Sequence, residues 1–227
     1  MGEISIWQII FLIIFSGFIS VDRFAGLNIM ISRPIIVSGI IGIVFNDIYA
    51  ALMIGLIFEF IGMLEVPVGT TIVHDDSFGG YAGASAVLIG YVSPDAFNIL
   101  TVIFIVSLLI YPVTLSDKWF REINRYLVQK SVVNNKAGNE NELIALGIFL
   151  AFVRGVIVYN AGLIIVLIFI NIMNNFEIYF TDLYKPVVAL IIIAAFMSGY
   201  LLRFLIINRI YKVLLLALGI AAGWWII

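Results

Sequence analysis

The chain has 227 residues, of which 63% are hydrophobic and 11% charged, with a formal net charge of −2. At a mean hydropathy of +1.18 there is too little polar surface to coat a water-soluble globule of this size, so the bilayer is the solvent to reason from. The near-neutral balance, with no basic face carrying aromatic residues, excludes a nucleic-acid partner, and the absence of cysteine excludes disulfides, thiolate metal sites and cysteine nucleophiles.

The first apolar run, residues 4–20, follows Glu3 instead of a basic segment and has no small-x-small cleavage site, so it reads as a retained membrane segment. Further runs cover 34–46, 48–64, 79–92, 97–112, 143–173, 186–202 and 213–227. Crossing about 30 Å of hydrocarbon takes about 20 helical residues. The runs at 34–46 and 79–92 fall short, which predicts half-helices, re-entrant hairpins or polar-interrupted spans. Such broken elements persist at membrane depth only where protein or a water-filled cavity satisfies their backbone, so they point to a binding site. The expected fold is an all-α integral membrane protein, a multi-span helical bundle with broken or re-entrant helices in its N-terminal half, built as one polytopic domain over 1–227.

Residues 116–142 carry Lys118, Arg121, Arg125, Lys130 and Lys136, which predicts a cytoplasmic loop by the positive-inside rule. Trp119, Arg121, Arg125 and Tyr126 within it suit an interfacial amphipathic helix or a docking face for a soluble partner. The 143–173 run is long enough for a tilted helix or a broken one. Arg203, Arg209 and Lys212 form a second basic cluster on the same side, while Glu177 and Asp182 fit the outer face.

Ionisable residues inside apolar runs are costly, by about 2.5 kcal/mol or more at a helix centre, and mark candidate function. Glu59 is the foremost, as the only group charged at neutral pH within 48–64. Asp47, beside Asn46 and between two runs, is placed to cap a helix. On one straight helix Asp47 and Glu59 would be offset by about 18 Å and about 120°, so they do not pair. Glu59 instead shares a face with Gly55 and Gly62, which leaves room for a ligand or a neighbouring backbone. Arg33 precedes Pro34 at a helix start, the position proline tolerates, and reads as an interfacial anchor and cap.

After this helix, Pro67, Gly69, Thr70 and Thr71 interrupt regular structure, and His74, Asp75 and Asp76 follow. Such a segment exposes main-chain donors and acceptors to a polyol while carboxylates accept its hydroxyl protons. The candidate substrate-binding set is therefore Glu59, Gly69, Thr70 and Asp75. His74 is the chain's single histidine, so no multi-histidine metal site forms, and neither a metal nor another cofactor is expected. Arg154, inside the 143–173 run, predicts an interior ion pair with Glu59 or Asp75. Arg33, Asp47 and Arg154 are assigned structural or gating roles.

The run from Arg33 to Asp75 resembles subunit IIC of the mannose, fructose and sorbose family of the bacterial phosphoenolpyruvate-dependent sugar phosphotransferase system. The likeness rests on Arg33-Pro34, Gly42-Ile43-Val44, Asp47, Gly55, Glu59, Gly69 and Asp75, in ungapped order. A weaker likeness continues through the helix bearing Arg154, the Gly199-Tyr200 pair and Leu218-Gly219. The resemblance implies a multi-pass inner-membrane permease subunit, not itself an enzyme. It would work in a hetero-oligomer with a IID membrane subunit and soluble IIA and IIB phosphocarriers, and the phosphoryl group would come from a histidine on IIB. The sequence departs from the family's pattern at Asn46, Pro67 and His74, beside the expected pocket. Two other classes stay open at this point: an ion-coupled secondary transporter in which Glu59 titrates, and a divergent membrane subunit that moves nothing.

Overall fold

The computed structural model describes residues 5–24, 29–63, 73–90, 96–133, 140–175 and 211. Six α-helices follow one another among them: α1 Ile6–Phe24, α2 Pro34–Phe45, α3 Ile48–Met63, α4 Asp76–Ile89, α5 Ala96–Val133 and α6 Glu140–Asn175. No strand occurs among the described residues. Among the described residues, α1, α5 and α6 are the helices long and apolar enough to cross a membrane. Their outward faces carry exposed Ile13, Phe18, Phe104, Leu108, Ile164 and Phe169, which would be a liability in water and costs nothing against lipid chains.

Helices α2 and α3 form a helical hairpin. Asn46 adopts the left-handed conformation, φ 60° and ψ 25°, which asparagine tolerates better than most residues. It turns the chain so sharply that the Asp47 N–H donates back to the Gly42 carbonyl at 3.0 Å. Asp47 Oδ1 then accepts the Ala50 N–H at 3.1 Å and starts α3 at once.

The hairpin packs against α4, which is also flanked by α5 and α6. Every residue of α4 from Ser77 to Val87 is buried. The sequence suits that position, because Gly79, Gly80, Ala82, Gly83, Ala84 and Ala86 keep the helix thin enough for neighbours on all sides. Val37, Ile41, Ile54, Phe58, Phe78 and Tyr81 close the core around it without exposure. The described part of the 79–92 run, to Gly90, is thus the body of a short helix enclosed by protein, the situation in which a half-helix survives at membrane depth.

Two features differ from expectation or resolve it. The polar stretch expected as a loop over 116–142 is largely helical: α5 runs through Pro112 to Val133, and helix resumes at Glu140. Within it Val113, Asp117 and Phe120 are buried, with Asn124 and Leu127 partly so, a stripe at helical spacing. Lys118, Arg121 and Arg125 lie on the exposed side. The charge count alone hid the stripe. The 143–173 run is one continuous helix, α6, about 54 Å long at 1.5 Å per residue, so it either tilts or projects beyond the hydrocarbon. The 186–202 and 213–227 runs, with Arg203, Arg209 and Lys212, lie outside the described residues.

Candidate functional site

A helix that begins inside a bundle presents its first N–H groups to a medium without water, and side-chain acceptors must meet them. At the start of α4, Asp75 Oδ1 accepts the Phe78 N–H at 3.1 Å and Asp76 Oδ1 accepts the Ser77 N–H at 3.0 Å. Negative charge is also favoured at this end of the helix by its dipole. Asp75 is 0% exposed, so its charge needs nearby compensation.

That compensation comes from α1 and α6, and α5 meets the backbone of the same residue. Arg154 on α6 approaches Asp75 Oδ2 at 3.2 Å, and Arg23 on α1 approaches Oδ1 at 3.5 Å. The Tyr159 hydroxyl sits between the two carboxylate oxygens, at 2.8 and 2.9 Å. On α5, Thr114 Oγ1 accepts the Asp75 backbone N–H at 3.0 Å. Arg154 also pairs with Asp117, and it donates to Ser116 Oγ at 2.9 Å and Ser20 Oγ at 3.3 Å. Its guanidinium lies 4.7 Å from the centre of the Phe24 ring. Arg23 binds Asp76 Oδ1 at 2.7 Å, Ser77 Oγ at 3.0 Å and the His74 carbonyl at 2.7 Å. The outcome is a cluster of buried Asp75, Asp117 and Arg154 with partly buried Asp76 and Arg23 that ties α1, α4, α5 and α6 together. A smaller bridge lies deeper, where the Tyr81 hydroxyl donates to Asn160 Oδ1 at 2.9 Å and Asn160 Nδ2 donates to Ser16 Oγ at 2.8 Å.

Glu59 occupies different surroundings. Arg33 reaches its Oε1 at 3.3 Å and the Ile35 N–H reaches Oε2 at 3.4 Å, both near the long limit for such bonds. The carboxylate therefore faces the start of α2, where Arg33 supplies no side-chain cap of its own. The small-residue face beside Glu59 is occupied by protein: a side chain at position 55 would strike Ser38 and the Ile35 backbone, and one at position 62 would strike the Asp76 carboxylate. A cavity of about 190 Å³ opens beside Gly62, lined by Ile61, Gly62, His74, Asp76, Ser107 and Ile110.

The expected site residues thus divide. Glu59 pairs with Arg33; Asp75 pairs with Arg154; Asp47 stands at the far end of α3 from Glu59. Gly69 and Thr70 lie outside the described residues. Sequence reasoning passed over Arg23 and Asp117. Arg23 ends an apolar run and resembles an ordinary flanking charge, while Asp117 sits among charges that read as solvated. The available signal was the Asp75-Asp76 doublet, since two adjacent acids at a buried helix start require more than one cation.

Comparison with known proteins agrees with this architecture. A family model described as "PTS system sorbose-specific iic component" matches residues 6–181. A solved structure described as "Structure of membrane protein" is 18% identical, with a TM-score of 0.59, covering 97% of this chain and 88% of that one. Another, described as "CryoEM Structure of Mannose Transporter ManYZ and Microcin E492 (MceA) complex", is 17% identical, with a TM-score of 0.58, covering 100% of this chain and 97% of that one. At those identities the likeness is one of fold. Among curated proteins no relative matches.

Proposed function

Since the chain belongs to the family of the sorbose-specific IIC component, and is therefore an integral membrane subunit of a phosphotransferase-system sugar permease, we propose that it binds a hexose-type sugar and carries it to a separate IIB protein for phosphorylation. The observation that carries this reading is a short helix starting inside the bundle, with acids at its entrance and a cavity beside them. Sugars present hydroxyls that donate to carboxylates and ring faces that rest on apolar side chains, and both kinds of surface meet there.

Glu59, held among the described residues by two long bonds, is the acid assigned to the sugar, from a position at the start of α2 and outside the lining of the cavity beside Gly62. Both oxygens of Asp75 are engaged within the protein, so its part in the pocket is to fix the start of α4. Gly69 and Thr70 are the expected backbone contributors on the connecting segment, and Arg33 and Arg154 hold the two acids in place. The subunit supplies a path and a pocket; bond making belongs to IIB, and no catalytic residue is assigned here. The working assembly is a hetero-oligomer with a IID membrane subunit, fed by IIA and IIB, in the bacterial inner membrane. The exposed Lys118, Arg121 and Arg125 side of α5 faces the cytoplasm.

Uptake of radiolabelled sorbose or mannose by cells carrying this subunit, IID, IIA and IIB tests the reading. Sugar is expected to arrive phosphorylated and uptake to be insensitive to a protonophore, and Glu59→Ala is expected to lower it about tenfold or more, the worth of a charged hydrogen bond. Free sugar accumulating inside the cell would point to ion-coupled transport instead, and undiminished uptake by Glu59→Ala would remove Glu59 from the pocket.

A further inference from the structure

Asp76 differs from its neighbour Asp75 in one respect that bears on the substrate. Asp75 is fully enclosed, whereas Asp76 keeps 16% side-chain exposure and lines the cavity. Its Oδ1 is occupied by Arg23 and the Ser77 N–H. Its Oδ2 lies against Gly62, which also lines the cavity, and receives no hydrogen bond from another described residue. Gly62 has no Cβ at the spot where one would collide with that oxygen. One oxygen is fixed, and the other lies against the bare backbone of Gly62 at the edge of the cavity.

We propose that Asp76, steadied by Arg23, is a specificity-determining residue of the sugar pocket, and that its Oδ2 accepts a hydroxyl of a monosaccharide held between α3, α4 and α5. This assignment rests on the permease reading above. A carboxylate oxygen accepting an O–H makes a short, charge-assisted bond, and an acceptor whose position is already fixed loses little freedom on binding. Arg23 grips the other side of the same segment through the His74 carbonyl and Ser77 Oγ, so the acceptor cannot swing away. Ile61 and Ile110 offer apolar walls for the C–H face of a sugar ring, and Ser107 offers a hydroxyl across the cavity. Among the described residues Arg23 meets the cavity lining only at His74 and Asp76, so its role is one of positioning.

The test is equilibrium binding of radiolabelled mannose and sorbose to the purified complex with IID, together with KM and maximal rate for phosphorylating uptake. Asp76→Asn is expected to weaken binding and raise KM about tenfold, with a much smaller change in maximal rate. Gly62→Ala leaves every charge in place but puts a methyl group where Oδ2 sits, and should raise KM in the same direction. It decides the matter if Asp76→Asn does not accumulate. Arg23→Lys should retain part of the affinity that Arg23→Gln loses. If the native complex binds sugar and both Asp76→Asn and Gly62→Ala stay within about twofold of it, the assignment of Asp76 fails while the permease reading stands. If the native complex binds and phosphorylates neither sugar, the permease reading fails and takes this assignment with it.

Discussion

Glu59 and Asp75 are both embedded acids paired to arginine, yet they are held in opposite ways. Around Asp75 two guanidinium groups, a tyrosine hydroxyl and a backbone N–H converge on a carboxylate without solvent exposure. Around Glu59 one arginine, itself 49% exposed at its side chain, and one backbone N–H approach at 3.3 and 3.4 Å. The first acid is part of the framework, since its lone pairs are spent on protein. The second has binding capacity to offer. Embeddedness marks an acid as important; the number of its partners decides whether it supports structure or meets a ligand.

The largest effect should follow from opening the Asp75 cluster. Removing one member of a buried ion pair leaves an uncompensated charge, which costs about 3–5 kcal/mol. Asp75→Ala or Arg154→Ala is therefore expected to lower the thermal unfolding temperature of the detergent-solubilised complex sharply and to abolish uptake through loss of folded protein. Tyr159→Phe comes next, because it deletes one hydroxyl shared by both oxygens; a loss of about 1.5–3 kcal/mol is expected from the same unfolding measurement. Glu59→Gln should be the mildest, at about 0–1 kcal/mol, because its arginine partner is half-exposed and its two bonds are long, while sugar uptake is expected to fall. A Glu59→Gln protein as destabilised as Asp75→Ala would erase the distinction between the two acids.

Much of the architecture is legible in run lengths. The shortness of 34–46 and 79–92 carries the prediction of broken helices, and α2 and α4 are the elements found there. The helical hydrogen-bond pattern is local, so length and apolarity suffice to see it. The 116–133 stretch is legible in part: Trp119, Arg121, Arg125 and Tyr126 suit an amphipathic helix and the stretch is helical, while charge density suggests water and hides the buried stripe through Asp117 and Phe120. The cluster itself was mostly illegible. Arg154 inside an apolar run calls for an acid, with Glu59 and Asp75 as the candidates, and Asp75 is the one it meets; Arg23 and Asp76, 53 positions apart, carry no such local sign. Pairing is a property of how α1 and α6 pack against α4, and one sequence does not encode it in any short window.

The ionic knot at the start of α4 also has a mechanical meaning. A permease must let one part of itself slide past another, and a sliding surface can run only where few strong links cross it. Any shear plane separating α1 from α4, or α5 from α6, at the level of Asp75 would pull opposite charges apart in a medium that cannot solvate them, at several kcal/mol per ion. The knot therefore behaves as a weld across these four helix segments at the level of Asp75.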